Sequence, residues 1–222
     1  MSLPILYSLQ HCPYAMRARM ALLMAKQEVM LRAIVTKDKP ADMLELSPKG
    51  TVPILLLLDG TLIDESLDIM IWALNQNDPV DLLFKEKPEV YTRMRELIKE
   101  GDGEFRTNLS AYKHNKRYHL EDEVKFRTNC ETYISSLESL LSNQDFFMGD
   151  RLSLADLAIL PFVRQFANVD KKWFRSAPYP RLTLWLKNQM QSLLFTKTMR
   201  KYPLWLESKE QYLFSWDSKT NL

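Results

Sequence analysis

The sequence predicts an α/β domain with a mixed four-stranded sheet, followed by an all-helical domain. Over residues 1–75, short apolar runs of strand type alternate with helical stretches in the order β-α-β-α-β-β-α. Over residues 89–222, apolar residues recur at helical spacing instead. Residues 76–88 lose this periodicity and contain Asn77-Asp78-Pro79 and Lys87-Pro88, which indicates a linker between the two domains.

Each element of the first domain is predicted from its local pattern. Asp59-Gly60 is the dipeptide of a tight hairpin, so the strands on either side of it should be antiparallel. The first strand–helix–strand unit should join parallel strands through a right-handed crossover. Ser66 is a plausible cap for the helix that follows the hairpin. We expect strands at 3–9, 29–35, 51–58 and 61–63, and helices at 13–26, 40–46 and 67–74.

The second domain is predicted from long amphipathic stretches. Ser153 and Asp156 form a capping box of the Ser-x-x-Asp kind at the start of one helix, which is a structural role. Cys130 lies on a buried stripe, so it is expected to be a core thiol. Trp205 and Trp216 lie in a tail that we expect to pack back onto the protein. We expect helices at 89–112, 121–142, 154–167 and 179–194.

Composition excludes several classes of function. The chain has 222 residues and a formal net charge of +2, with basic residues spread along it, so nucleic-acid binding is not expected as a main role. Two cysteines make no disulfide framework and fit a reducing compartment. The three histidines show no metal-ligand spacing. There is no signal-peptide pattern and no apolar run long enough to span a membrane. We expect a cytoplasmic protein without a metal.

The stretch from Tyr7 to Ala15 is the most informative part of the chain. Pro13 follows a strand and precedes a run of strong helix formers, so it should occupy the first helical position, with Cys12 as the N-cap. Unpaired N–H groups and the helix dipole then favour the thiolate of Cys12. A lone cysteine is more often inertly buried, but this context favours a reactive thiol. Because residue 15 is alanine, no Cys-x-x-Cys disulfide can form, and another molecule's thiol must resolve a mixed disulfide at Cys12.

Val52-Pro53 directly precedes a predicted strand. If this bond is cis, the Val52 backbone can face a cleft and pair with the backbone of an extended peptide. A trans proline at the first position of a strand is equally consistent with the sequence.

Glu65 and Ser66 open a helix after a strand. A helix N-terminus binds a carboxylate, and Glu65 can receive an ammonium group, so this pair suits an α-amino acid head. Taken alone, the pair is more often an ordinary cap. Lys39 can supply a cation for another carboxylate, although a solvated loop lysine is the commoner case.

These motifs occur together and in order: Cys-Pro-Tyr-Ala after the first strand, Lys39-Pro40, Val52-Pro53, Glu65-Ser66 and Ser153-x-x-Asp156. The ordered set resembles the glutathione S-transferase superfamily, and most of all its cysteine-type omega class and related glutaredoxin-like proteins. The resemblance covers nearly the whole chain. It implies a thioredoxin-like first domain with a glutathione site, an all-helical second domain, an unidentified second substrate and a homodimer.

The resemblance also implies a role for each candidate residue. The glutathione site would comprise Cys12 as the reactive cysteine, Tyr14 as an aromatic side chain beside the peptide, Lys39 at the glycyl carboxylate, Val52 at the cysteinyl backbone, Pro53 as the cis proline, and Glu65 and Ser66 at the γ-glutamyl head.

Three functions compete. A Cys12 thiolate is suited to attack sulfur and form a mixed disulfide with glutathione, which favours deglutathionylation or reduction of acceptors such as dehydroascorbate. Conjugation of glutathione to electrophiles needs a hydroxyl that donates to the glutathione thiolate, and a thiol is a poor donor. Tyr7 is placed to supply that hydroxyl, although a core tyrosine is the commoner reading. The third possibility is a protein of the same fold that binds glutathione or other ligands without turnover.

Overall fold

The computed structural model describes residues 2–217. The chain forms two compact units. The first contains the residues up to Val80 together with those from Ser192 onward, and the second is Asp81–Gln191. Within residues 2–217, no helix is both long enough and apolar enough to cross a membrane.

The first unit contains a mixed sheet with the strand order β4-β3-β1-β2-β5. Its strands are β1 Ile5–Ser8, β2 Val29–Ala33, β3 Ile54–Leu56, β4 Leu62–Ile63 and β5 Tyr212–Phe214. β1 and β2 are parallel, and the other neighbouring pairs are antiparallel. The mixed sheet, its four predicted strands and their order along the chain are confirmed. The expected number of strands was one too few, because β5 has only three residues and lies far along the chain from its partner β2.

In the described part of the first unit, five helices accompany this sheet: α1 Pro13–Met24, α2 Ala41–Leu46, α3 Ser66–Gln76, α10 Leu193–Thr198 and α11 Trp205–Ser208. α1 packs against α3 and α10. Every residue of α1 from Ala15 to Leu23 is buried, including Arg17 and Arg19. A helix that is buried on all sides belongs to the core of its unit. α1 is therefore part of the core of the first unit, packed between α3 and α10.

The second unit is helical, as predicted. Its helices are α4 Pro88–Glu100, α5 Arg106–Tyr118, α6 Glu123–Leu140, α7 Leu154–Val169, α8 Lys171–Ser176 and α9 Pro180–Gln191.

The helix predicted over 89–112 is instead broken between α4 and α5. A π-helical turn, Gly101–Phe105, separates them, and Gly103 leaves helical geometry at φ −87° and ψ −118°. A Cβ on Gly101 would lie 2.7 Å from the Tyr133 hydroxyl oxygen. The phenol donates instead to the Leu97 carbonyl oxygen at 2.9 Å. Two glycines of low helix propensity therefore interrupt the helix and let α6 approach closely.

The predicted capping box is present at the start of α7. Ser153 Oγ accepts from the Asp156 N–H at 3.4 Å, and Asp156 Oδ2 accepts from the Ser153 N–H at 3.0 Å. The same carboxylate accepts from the Phe147 N–H and from the indole N–H of Trp185. Burial raises the pKa of Asp156 to about 6, although these donors oppose the shift. Asp156 thus ties three parts of the second unit together.

The expected domain boundaries at 75 and 89 differ from those of the structure. The segment from Ser192 to Asp217, placed by the sequence in the helical domain, belongs to the first unit. Its strand β5 pairs with β2, with Phe214 opposite Val29, and this covers an edge that would otherwise be unpaired. The tail does pack back, because the Arg32 guanidinium lies 4.1 Å from the centre of the Trp205 ring. The segment predicted as a linker ends inside the second unit, where the Leu82 carbonyl accepts from the Leu154 N–H.

Candidate active site

Cys12 is the N-cap of α1, as predicted, and Pro13 is the first helical residue. Cys12 has extended geometry, with φ −72° and ψ 122°, and its carbonyl accepts from the Met16 N–H at 2.9 Å. Its side chain makes no capping hydrogen bond to the helix. The thiol is free and half-buried. The first N–H groups of α1 are therefore not occupied by the side chain of their own cap residue.

The Val52-Pro53 bond is cis, which decides between the two alternatives left open by the sequence. Val52 precedes the first paired residue of β3, because the ladder between β1 and β3 ends at Tyr7 opposite Ile54. The carbonyl oxygen of Val52 lies 3.7 Å from Cys12 Sγ and accepts from the thiol. The reactive-cysteine candidate and the backbone candidate are thus adjacent.

Glu65 and Ser66 begin α3, but the predicted cap is displaced by one residue. Glu65 has the extended geometry of an N-cap, whereas Ser66 is already the first helical residue. The Glu65 side chain does not cap the helix and instead pairs with Lys49. Ser66 is buried at 5% exposure. Glu65 therefore does not act as an ordinary side-chain cap of α3.

Two lysines flank this region, and sequence reasoning singled out only Lys39. Lys39 is half-buried and lies beside Gly50. A Cβ atom added to Gly50 would be 3.4 Å from Lys39 Nζ. Lys49 belongs to a turn and its pairing with Glu65 raises its pKa. Nothing in the turn sequence from Ser47 to Gly50 indicates which acid Lys49 contacts. The pairing of Lys49 with Glu65 is visible only in the folded chain, where the two side chains meet.

The topology brings these candidates to one edge of the sheet. β1 and β2 are parallel, so their carboxyl ends, which lead to Cys12 and Lys39, lie on the same edge. β3 runs the opposite way and starts there, just after Val52-Pro53. β4 pairs antiparallel with β3 and ends there, before Glu65. Tyr14 lies in the first turn of α1, and the Arg17 guanidinium is 5.5 Å from the centre of its ring.

Tyr7 occupies the position expected of a catalytic hydroxyl, but its phenol is committed to the core. The residue is fully buried. Its hydroxyl donates to Asp42 Oδ2 at 2.6 Å and accepts from Arg32 at 2.5 Å. Burial and the bond to Asp42 raise the pKa of Tyr7 to about 12. The phenol therefore has no free proton to donate to a ligand.

Cys130 provides the opposite environment to Cys12. It is fully buried in α6, and its Sγ lies 3.9 Å from the Phe105 carbonyl oxygen. Burial raises the pKa of the Cys130 thiol to about 12. The prediction of a core thiol is confirmed. Among residues 2–217, no group of three or more His, Cys, Asp or Glu side chains is placed to hold a metal ion.

Comparison with known families defines the class of protein. Residues 6–81 match the family model described as Glutathione S-transferase, N-terminal domain, and residues 88–188 match Glutathione S-transferase, C-terminal domain. The chain therefore belongs to the glutathione S-transferase family and is an enzyme of the glutathione transferase type. The first domain is thioredoxin-like, as the family resemblance implies.

Within the family, the chain is similar to omega-class proteins. It is 28% identical over 203 residues to mouse glutathione S-transferase omega-1, an alignment that covers 88% of this chain and 82% of the mouse protein. The crystal structure of glutathione transferase Omega 3C from Trametes versicolor has a TM-score of 0.77 at 18% identity, covering 92% of each chain. A glutathione transferase family member from Pseudomonas fluorescens Pf-5, with two glutathione bound, has a TM-score of 0.77 at 15% identity, covering 89% of this chain and 92% of that one.

Proposed function

We propose that this transferase uses a Cys12 thiolate for glutathione-dependent thiol transfer, in deglutathionylation and in dehydroascorbate-type reduction. One contrast carries the proposal. Cys12 is a free, half-buried thiol at an uncapped helix N-terminus, whereas the hydroxyl of Tyr7 is buried and bound to Asp42 and Arg32. The group suited to attack sulfur is accessible, and the group suited to assist conjugation is not.

The reaction has two exchange steps. The Cys12 thiolate attacks the glutathionyl sulfur of a glutathionylated substrate, forms a Cys12–glutathione disulfide and releases the substrate thiolate. A second glutathione, as thiolate, then attacks the glutathionyl sulfur, forms glutathione disulfide and releases the Cys12 thiolate. Ala15 occupies the position of a resolving cysteine, so the second thiol comes from glutathione. For dehydroascorbate, two glutathiones supply the two electrons and leave as glutathione disulfide.

Glutathione, the proposed co-substrate, would lie along the sheet edge. The Val52 backbone would pair with its cysteinyl unit, because Val52 lies beyond the ladder and next to Cys12 Sγ. The N-terminus of α3 at Ser66, with Glu65, would hold the γ-glutamyl head, since the side chain of the N-cap residue Glu65 does not cap that helix. Lys39 would meet the glycyl carboxylate, and Tyr14 would lie beside the peptide. Lys49 would keep the Glu65 carboxylate in place.

A side-by-side assay tests the proposed activity. The parent protein, Cys12→Ala and Tyr7→Phe are each assayed on a glutathionylated peptide, on dehydroascorbate and on a chlorinated aromatic electrophile. Cys12→Ala should lose both thiol-transfer activities by about 10³-fold or more, because the nucleophile is removed. Tyr7→Phe should retain most of them.

Two results would replace the proposal. If Tyr7→Phe abolished the main activity and Cys12→Ala spared it, the protein would be a conjugating transferase of the tyrosine type. If the parent bound glutathione but turned over none of the three substrates, it would be a ligand-binding protein with a transferase fold.

We also propose that the protein is a homodimer in the cytoplasm. The family resemblance supports the dimer, and two free cysteines fit a reducing compartment. Light scattering should give the mass of two 26.1 kDa chains at micromolar concentration. A mass of one chain would contradict the dimer. Recovery in a membrane or secreted fraction would contradict the location.

A further inference from the structure

Arg19 is a buried cation that holds the chain segment leading to Cys12. It lies in α1 and is 2% exposed. Its Nη1 donates to Ser8 Oγ at 2.5 Å and to the Leu9 carbonyl at 3.1 Å, and its Nη2 donates to the Gln10 carbonyl at 2.6 Å. Its Nε donates to the Thr198 carbonyl at 3.0 Å. The planar guanidinium thus fixes three consecutive residues before the reactive cysteine.

The guanidinium also connects this segment to the C-terminal part of the first unit, because its Nε donates to the Thr198 carbonyl. Thr198 is the last residue of α10. Beside it, Gln10 Nε2 donates to the Met199 carbonyl at 2.9 Å. The approach to Cys12 is therefore held from within α1 and also from a segment nearly 180 residues away in the chain. This arrangement ties the segment before Cys12 to Arg19.

The acceptors of Arg19 are all neutral oxygens, so its charge is not balanced by them. Burial lowers the pKa of Arg19 to about 10, which still leaves it cationic at neutral pH. The Leu9 carbonyl oxygen that accepts from Arg19 also accepts from the Cys12 N–H at 3.2 Å, which places the guanidinium close to Cys12. Among the described residues, ionised Cys12 and ionised Tyr202 favour the cationic form of Arg19. Burial raises the pKa of Tyr202, so its phenol stays neutral. A buried cation without a counter-charge is costly, and Cys12 is the group able to supply one.

Other titratable groups near Arg19 do not change this balance. A cavity of about 180 Å³ adjoins Arg19 and is lined by Gln10, His11, Arg200 and Tyr202 among others. His11 and Arg200 carry no negative charge in any protonation state. Neither group can therefore supply the negative charge that would balance Arg19.

We propose that Arg19 is a positioning residue that makes Cys12 a good leaving group in the second step of thiol transfer. In that step a glutathione thiolate, whose proton has gone to solvent, bonds to the glutathionyl sulfur while the bond to Cys12 breaks. The electron pair of that bond stays on Cys12 as thiolate. The inference rests on the proposed function for its role in turnover, but the underlying interaction does not.

The physical reason is a difference between the two states of Cys12. In the mixed disulfide the Cys12 sulfur is neutral, and the buried guanidinium has lost its counter-charge. Release of the thiolate restores a negative charge in the neighbourhood of Arg19. Arg19 therefore favours release over retention of the glutathionyl group, and a thiol that is stabilised as thiolate leaves faster.

The test compares Arg19→Gln and Arg19→Lys with Arg32→Gln as a matched control. Arg32 is a mostly buried arginine of the same unit, but it pairs with the carboxylate of Asp42. Two quantities are measured: the pH midpoint of Cys12 alkylation, and the fraction of mixed disulfide at fixed ratios of glutathione to glutathione disulfide, by intact mass.

Arg19→Gln should raise the alkylation midpoint by about one pH unit, which is the shift that a lost opposite charge produces, and should favour the mixed disulfide by about tenfold. Arg19→Lys keeps the charge and should show less than half of each shift. Arg32→Gln should show neither. Unchanged values in a folded Arg19→Gln protein would overturn the inference.

A second measurement needs no arginine variant, in case Arg19→Gln does not fold. If the thiolate balances Arg19, the thermal stability of the parent relative to Cys12→Ala should increase as pH rises from 5 to 9. A thiolate favoured by the fold contributes stability above its titration range and loses it below. A pH-independent difference would overturn the inference.

The two proposals fail separately. A parent protein that transfers thiols, with Arg19→Gln unchanged in both measurements, would keep the function and remove the role of Arg19. A parent without turnover, but with a shifted alkylation midpoint in Arg19→Gln, would keep the interaction and remove the function.

Discussion

The N-termini of α1 and α7 use the same backbone feature for opposite purposes. Both helices begin with N–H groups that have no partner in the helix. At α7, Ser153 and Asp156 cap those groups reciprocally, and both residues are at most 1% exposed. At α1, the cap residue is Cys12, which is half-buried and makes no capping bond.

The difference shows how a structural helix start can be separated from a functional one. A terminus that is buried and satisfied by its own side chains contributes to stability. A terminus at a sheet edge can bind a ligand when its cap residue makes no capping bond and the neighbouring backbone is not paired with another strand. α3 follows the second pattern, since the Glu65 side chain pairs with Lys49 rather than with the helix. Four predictions test this separation, beginning with the largest expected effect.

The two cysteines should differ most in reactivity. Burial holds the pKa of Cys130 at about 12, so almost none of it is thiolate at neutral pH. Cys12 should therefore react with iodoacetamide at least about 10³-fold faster at pH 7 in the folded protein. Peptide mapping after timed alkylation measures both rates. Equal rates at the two positions would remove the claim that Cys12 is activated, whereas equal rates in denaturant are expected.

Asp156→Ala should destabilise the fold by about 3 kcal/mol, because it leaves buried N–H donors of Phe147, Ser153 and Trp185 without their acceptor. Urea unfolding measures the change. The activity per folded molecule should be close to that of the parent, because Asp156 acts only in the second unit's packing. A stable variant with reduced turnover would mean that the two helix starts are not separated in function.

Glu65→Gln and Ser66→Ala should each weaken glutathione binding by about tenfold or more, which corresponds to a loss of about 1.5–3 kcal/mol of charge-assisted bonding. Calorimetry with reduced glutathione measures the affinity. Glu89→Gln is the control, since Glu89 is an exposed acid in the first turn of α4. If the control and both variants bound glutathione like the parent, the start of α3 would be an ordinary helix start.

Cys12→Ser gives α1 the same residue type that caps α7. A serine hydroxyl cannot ionise to attack a disulfide, so thiol transfer should be lost. The hydroxyl is a better hydrogen-bond donor than a thiol and can donate to the glutathione thiolate. We expect Cys12→Ser to conjugate a chlorinated aromatic electrophile a few-fold faster than Cys12→Ala does. Identical conjugation rates in the two variants would show that this position does not reach the glutathione sulfur.

Local features of the site were predictable from the sequence. Pro13 fixes the backbone at the first helical position, so the residue before it becomes the N-cap whatever the rest of the chain does. The capping box at Ser153 is also set by residues three apart. The order of the first four strands follows from hydrophobic runs and from the hairpin dipeptide at Asp59.

Features that depend on distant residues were not predictable. Arg19 lies in a run of helix formers, and its bond to Thr198 crosses 179 positions of sequence. β5 is too short to have a pattern of its own, and only its pairing with β2 makes it a strand. Tyr7 was placed correctly along the chain, but its partners Asp42 and Arg32 decide that its hydroxyl is unavailable.

The most direct test of the account is to trap the covalent intermediate. The parent protein is mixed with a glutathionylated peptide without free glutathione, quenched with acid, and examined by intact mass and peptide mapping. The account predicts one glutathionyl group per chain, on Cys12, which disappears on addition of glutathione as glutathione disulfide forms. Full thiol-transfer activity with no adduct at Cys12, or with an adduct only at Cys130, would contradict it.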